Sequence, residues 1–327
     1  MLIESEIKKR VSLFEPYWAE RLTTRPPERL YDASRHLLLA GGKRLRPCLA
    51  MLACESVGGE ARVALPFAAA LEFIHCFTLV HDDIMDKSTL RRNQETVHIK
   101  YGEATAILAG DLLFAKAFEI MHDLSINPAI WKHLDYHISK CIVEICEGQE
   151  LDAEFESRSI VSESEYLEMI RKKTAVIFKL AAYGGGLIGG GDESVTKALG
   201  DYGLNIGLAF QIWDDYLDIS STENVLGKDI GNDIRNGKKT IIATHALSRA
   251  RGDDKKLIDR ILGNPEASDD DIKDLLVLFK RLGSVDHAKK TAASYVEEAQ
   301  RSLNVLPDSD AKSIMKDLAL YTIQRKK

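Results

Sequence analysis

Residues 64–86 read ALPFAAALEFIHCFTLVHDDIMD. Within it Leu65, Ala68, Ala69, Leu71, Phe73, Ile74 and Phe77, with the small Thr78, cover most of a helical surface, which predicts a central helix buried on nearly every side. The acids Asp82, Asp83 and Asp86 follow at once, so they sit at the polar C-terminal end of that helix. The rest of the chain agrees with a helical reading. Only eight prolines occur and none falls between Pro128 and Pro265, a gap that suits long helices. No segment sustains the strict alternation of a strand. The expectation is an all-α fold, a bundle of about a dozen helices in one layered domain spanning residues 1–327.

Breakers mark the joints. Gly41-Gly42 precedes a helix with Pro47 in its first turn, and Asn127-Pro128 opens another. Ser220–Lys239, with Gly227, Gly231 and Gly237 among charges, reads as a flexible loop, and Arg251–Asp271 as a connector. There is no internal repeat and no low-complexity tract.

The chain has 327 residues with 44 Lys plus Arg against 50 Asp plus Glu, a formal net charge of −6. A nucleic-acid binder would carry a basic excess, so that class is disfavoured. The 45% hydrophobic and 29% charged content fits a globular protein and excludes a disordered one. The five cysteines are odd in number and form no CxxC pair, which predicts free, mostly buried thiols in a reducing cytoplasm. The start MLIESEIKKR lacks an apolar run after its charges, so no secretory signal is expected. Thr174–Gly191 is short for a membrane span, glycine-rich and interrupted by Lys179, so none is expected there either.

The chemistry concentrates in two acid clusters. Asp82-Asp83-Ile84-Met85-Asp86 ends the helix quoted above, and Asp214-Asp215-Tyr216-Leu217-Asp218 follows the apolar run Leu208–Trp213. In each, the first and last aspartates are i and i+4 on one helix face, where like charges repel and also oppose the helix dipole. A cation must compensate. A third match, Asp270-Asp271-Ile272-Lys273-Asp274, is an internal control. It follows Ser268 at a helix start, where acids cap exposed N–H groups, and needs no ligand to explain it.

Oxygen-only carboxylate clusters favour hard cations, and Mg²⁺ held this way shares its shell with waters and substrate phosphates. Two clusters therefore imply a polyphosphate ligand. Cations for such a ligand lie in Gly41-Gly42-Lys43-Arg44-Leu45-Arg46-Pro47, read as three basic residues on the first turn of a helix. Others are Arg91-Arg92, Lys172-Lys173-Thr174 and, in the glycine-rich loop, Lys228, Lys238 and Lys239.

Taken together these residues resemble the trans-type (E) isoprenyl diphosphate synthases, closest to the archaeal-type geranylgeranyl diphosphate synthases. The resemblance runs through GGKRLRP (41–47), LVHDDIMD (79–86), RR (91–92), GQELD (148–152), KKTA (172–175), FQIWDDYLD (210–218) and GKDIGNDIRNGKKT (227–240), in order and with matching spacing. It implies the all-α isoprenoid synthase fold around a deep central cavity, usually a homodimer, and three Mg²⁺ in the reacting complex. It further implies Asp82, Asp86 and Asp214 as the main Mg²⁺ ligands, with Asp83, Asp215 and Asp218 as ligands or their supports. Arg91, Lys173, Lys228 and Lys238 would hold the allylic diphosphate. Lys43, Arg46, His75 and Arg92 would hold isopentenyl diphosphate, and Thr174 and Gln211 would face the reacting carbons. The stretch Asn93–His98 departs from the Gly-Lys-Pro-Thr-Val-His of many relatives, which leaves the local turn open.

Product length should depend on what lies deeper along the first helix. Phe77 is five residues before Asp82, about 7.5 Å down the axis, with Ile74 on a similar face. A single aromatic followed by Thr78 resembles geranylgeranyl-type (C20) synthases. A farnesyl (C15) or longer product is the alternative. From a different class, Glu72-x-x-His75 and Glu119-x-x-His122 match the Glu-x-x-His pattern of ferritin-like di-iron bundles, which would leave both aspartate clusters unexplained. A terpene cyclase would share the first aspartate motif but not the second. A non-catalytic subunit would be expected to lose one cluster. His36, His133 and His137 read as packing or surface residues without metal spacing.

Overall fold

The computed structural model describes residues 2–220 and 232–325, and these gather into two compact units, each assembled from separated stretches. The first comprises residues 1–137, 180–200 and 305–315; the second comprises 138–179, 201–304 and 316–327.

The first unit is built on α4 (Leu65–Met85), the helix the sequence marked as central. Phe67, Leu71, Phe73 and Ile74 have no exposed surface, and each such side chain contributes about 1.5–3 kcal/mol through burial. Pro66 sits in the first turn, where its missing N–H costs nothing. Around α4 pack α1 (Leu2–Arg21), α2 (Glu28–Leu39), α3 (Leu45–Ser56), α5 (Val97–Tyr101) and α6 (Glu103–Met121). By length and composition Ala61–Met85 could cross a membrane, but 72% of its apolar window is buried inside the fold, as a core helix should be. Between α4 and α5 runs a two-residue hairpin, β1 (Leu90–Arg91) against β2 (Gln94–Glu95). Arg92 and Asn93 turn it with φ of 53° and 60°, the paired positive values of a type I′ turn. That resolves the local turn left open by the sequence.

One expectation needs correction here. Of the three cations only Arg46 stands in the first turn of α3: Lys43 and Arg44 precede it, Arg44 in the left-handed conformation. The Arg44 guanidinium bonds Glu15 Oε1 and Glu72 Oε1, each at 2.7 Å. Burying a guanidinium is tolerable only when its donors are met, and two carboxylates and the Leu38 carbonyl meet them.

The second unit continues α7 (Pro128–Ser157) and adds α8 (Glu163–Ile170), a π-helical turn Arg171–Ala175, and parts of α9 (Val176–Ile188) and α10 (Glu193–Ser220). Beyond these come α11 (Asn232–Arg235), α12 (Ile241–Arg249), α13 (Gly252–Ile261), α14 (Asp269–Arg281), α15 (Ser284–Ser302) and the end of α16 (Asp310–Thr322). Its core joins Tyr166, Ile212, Ile241, Ile258, Leu275 and Phe279. Ser268 and Asp271 form a reciprocal capping box at the start of α14, so the third aspartate motif is the helix start expected of it. Arg251–Asp271, expected as a connector, contains α13 (Gly252–Ile261) and the start of α14 at Asp269. Asp253 and Asp254 in the first turn of α13 and Arg260 in its last suit the helix dipole, while Ile258 and Ile261 bury its inner face. Of the loop expected at Ser220–Lys239, Ser220 ends α10, residues 221–231 lie outside the described residues, and α11 follows.

Candidate active site

In the first unit the C-terminus of α4 presents the first acid cluster. Asp83 is buried and accepts from Arg91 Nε at 2.7 Å through Oδ1, while its other oxygen, Oδ2, is buried with no partner among the described residues. Burial pushes the Asp83 carboxyl up, and the Arg91 guanidinium pulls it down. Asp82 is half-buried and Asp86, which caps α4, is exposed. Arg91 is therefore engaged by a carboxylate rather than presented alone.

Arg92 turns back to the end of α2, where Nη1 donates to the carbonyls of Leu37, at 2.8 Å, and Gly41. A Cβ on Gly42 would lie 3.1 Å from that guanidinium, so the glycine pair leaves it room. His75, one turn before Leu79 on α4, is held well below the usual imidazole range, first by desolvation and then by Arg46, Arg92, Arg91 and Arg44. Of these four guanidiniums, Arg44 and Arg91 are already met by carboxylates. Lys43 is exposed and Arg46 half-buried beside it in sequence.

Deeper along α4, Ile74 is fully buried and Thr78 donates to the His75 carbonyl at 2.8 Å. The Phe77 ring meets Phe114 edge-on at 5.6 Å and His81 at 5.2 Å, and Phe114 meets Phe118 at 5.4 Å. Phe114 and Phe118 on α6 were not singled out from the sequence. Their i, i+4 spacing was visible, but nothing in it said which helix would face α4.

In the second unit a cavity of about 110 Å³ is lined by Asp152, Tyr166, Lys173, Thr174, Gln211, Asp215, Asp218, Asp233 and Lys238 among others. A chain of hydrogen bonds crosses it. Thr174 Oγ1 donates to Gln211 Oε1 at 2.9 Å, Gln211 Nε2 to Asp215 Oδ1 at 3.1 Å, and Tyr166 Oη to Asp215 Oδ2 at 2.6 Å. This fixes the amide orientation of Gln211. Lys173 donates to Asp152 of GQELD at 2.6 Å, and Lys238 pairs with Asp233 at 3.3 Å. Asp214 takes Arg325 at 2.5 Å. Tyr166 and Arg325 were not singled out from the sequence, and Asp152 and Asp233 stood only within the quoted stretches GQELD and GKDIGNDIRNGKKT, with no role of their own. Lys228 lies outside the described residues.

Thr174 and Lys173 owe their position to the π turn, a widened helical loop common at functional sites. Two glycines admit it. A Cβ on Gly148 of α7 would lie 2.3 Å from Lys173 N, and one on Gly207 of α10 would lie 2.6 Å from Ala175 Cα.

The electrostatics suit a cation. Asp215 is pushed up to about 7 by burial, against the pull of its bonds from Tyr166 and Gln211. Asp218 stands on the exposed side of α10, yet desolvation of its carboxyl and the nearby Asp233 and Asp214 push it to about 7 as well. Crowded carboxyls that retain protons want a divalent ion instead. Among the described residues no three His, Cys, Asp or Glu side chains form a closed metal cage. The di-iron alternative fails on its ligands, because Glu72 is taken by Arg44, Glu119 by Lys116 at 2.7 Å, and His122 packs on Trp131.

The sequence profile of the polyprenyl synthetase family matches residues 27–279. The chain belongs to that family. It is 45% identical over 326 residues to a geranylgeranyl diphosphate synthase of Methanosarcina mazei, covering 99% of this chain and 98% of that one. A geranylfarnesyl diphosphate synthase of Natronomonas pharaonis is 41% identical over 341 positions, with 99% and 98% covered. Among solved structures, the geranylgeranyl pyrophosphate synthetase of Pyrococcus horikoshii superimposes with a TM-score of 0.94 at 42% identity, covering 99% of this chain and 98% of that one. This polyprenyl synthetase is thus an enzyme of the prenyl diphosphate synthase type with the all-α fold of its relatives.

Proposed function

We propose that the chain, acting as one catalytic domain over residues 1–327, condenses isopentenyl diphosphate with an allylic diphosphate (dimethylallyl, geranyl or farnesyl) and stops at geranylgeranyl diphosphate. Asp82, Asp86 and Asp214 are the Mg²⁺ ligands in this reading, with Asp83, Asp215 and Asp218 as further ligands or supports for three ions. Bound there, Mg²⁺ supplies neutralisation of the charge that builds on the departing diphosphate. Arg91, Lys173, Lys228 and Lys238 hold that allylic diphosphate. The anion pocket of Lys43, Arg46, His75 and Arg92 holds isopentenyl diphosphate, with His75 neutral so that its ring donates without adding charge.

The fixed Gln211 amide and the Thr174 hydroxyl offer oxygen lone pairs that stabilise positive charge on the reacting carbons without acting as strong nucleophiles. The isopentenyl double bond forms the new carbon–carbon bond, and the released diphosphate is the base that takes the final proton. Apolar walls exclude the water that would quench the cation.

The chain-length reading is supported by the ring contacts of Phe77 with Phe114 and of Phe114 with Phe118, which in this reading form the floor that stops growth. Exposed Ile99, Ile107 and Leu108 support a homodimer, since such surface is usually covered in an assembly. Four buried cysteines and an exposed fifth, none of them in a disulfide, suit a reducing cytoplasm. The test is incubation with Mg²⁺, isopentenyl diphosphate and each starter in turn, with chain-length analysis. C20 should accumulate from all three starters. Accumulation at C15 or C25 would move the floor, and no elongation would overturn the proposal.

A further inference from the structure

His133 and His137 are i and i+4 on α7, so contrary to the expectation from sequence they do have the spacing of a two-histidine metal pair. Their Nε2 atoms are 3.0 Å apart, and Tyr183 Oη of α9 lies 2.5 Å from His133 Nε2. The three rings close on one another, with centroids 4.5 Å (His133–His137), 5.0 Å (His137–Tyr183) and 5.9 Å (His133–Tyr183) apart. His133 is exposed, and His137 and Tyr183 are half-buried, so an ion can reach them.

Proton counting shows why this convergence is unusual. His133 Nε2 carries either one lone pair or one hydrogen. With the lone pair it must accept from the phenol and from the second imidazole at once; with the hydrogen it can give a full bond to only one of them. No single protonation state gives both contacts a hydrogen bond of their own. A single Lewis acid engages all three lone pairs together. We infer that His133, His137 and Tyr183 form a binding site for a borderline divalent transition-metal ion such as Cu²⁺, Zn²⁺ or Ni²⁺, separate from the carboxylate clusters that suit Mg²⁺.

Imidazole and phenol donors select such ions over Mg²⁺. Ligands at about 2.0–2.1 Å in tetrahedral array stand about 3.3 Å from one another, so the two imidazole nitrogens must open by about 0.3 Å and the phenol must move about 0.8 Å from His133, which side chains at the surface can do by rotating. Burial raises the Tyr183 phenol above its usual range, and Glu193, at the start of α10, adds to the rise. Binding would tie α7 to α9.

The test titrates Cu²⁺ into the full-length protein with Mg²⁺ in excess. The expected result is one ion per chain, an electron paramagnetic resonance signal split by two nitrogens, and a visible phenolate-to-copper absorption. Tyr183→Phe should abolish that absorption and keep the nitrogen splitting. The double variant His133→Asn/His137→Asn should weaken binding at least tenfold and remove the rise in melting temperature that Zn²⁺ gives the wild type, while Mg²⁺-supported prenyl transfer and circular dichroism stay unchanged. Equal copper retention by wild type and the double variant would overturn the inference, as would a wild type that binds no ion. A two-nitrogen signal with no phenolate band would remove Tyr183 from the site and overturn the three-donor assignment.

Discussion

Asp215 and Asp218 hold protons to about pH 7, well above an ordinary aspartate. In the metal-free protein the folded state therefore binds more protons than the unfolded chain between about pH 4 and 7. These groups stabilise the fold below that window, and the contribution is lost as pH rises through it. In the proposed reading Mg²⁺ competes for the same oxygens. Its affinity should rise as pH approaches 7 and level off above, with protons released on binding at pH 6 and almost none at pH 8.5. Calorimetry of Mg²⁺ binding in two buffers of different ionisation enthalpy reads this directly. Proton release independent of pH would show that these carboxyls are not the ligands.

At the scale of elements, the π turn sets where Lys173 and Thr174 stand, and the glycines of α7 and α10 make space for it. Gly148→Ala would drive a methyl group into the Lys173 backbone. The expected cost is about 1–3 kcal/mol of stability, seen as a lowered melting temperature, and a fall in kcat on the order of 10²-fold from misplacement of the lysine. An unchanged kcat would mean that the π geometry is dispensable. Such a turn was not legible in the sequence. Lys172-Lys173-Thr174-Ala175 contains no proline or glycine to betray it, and its cause lies in residues more than twenty positions away. The same limit explains α13: two isoleucines among charges carry too weak a pattern to announce a helix until α14 packs on it.

At the scale of the whole molecule, the passages between the two units fall inside α7, α9, α10, the 3₁₀ turn Leu303–Val305 and α16 rather than in linkers. That is why composition offered no boundary to read. What was legible were features with a local physical signature: the all-round apolarity of α4, the repelling aspartates behind two apolar helices, and the serine that explains the third. What was not legible were partnerships set by tertiary packing. Arg44 could not be told from its neighbours Lys43 and Arg46 until Glu72 came to meet it. Phe77 could be named, but not its contacts Phe114 and Phe118. Phe77→Ser opens that aromatic run and should shift the main product from C20 to C25 or longer; an unchanged product distribution would place the floor elsewhere.

The central claim is that both aspartate clusters serve one prenyl transfer. Its most direct measurement is the steady-state incorporation of labelled isopentenyl diphosphate into farnesyl diphosphate by the wild type, Asp82→Asn and Asp214→Asn, each checked for folding. The account predicts that either change lowers kcat by on the order of 10³-fold, with part of the loss recovered at higher Mg²⁺. Wild-type rates in either folded variant would contradict it.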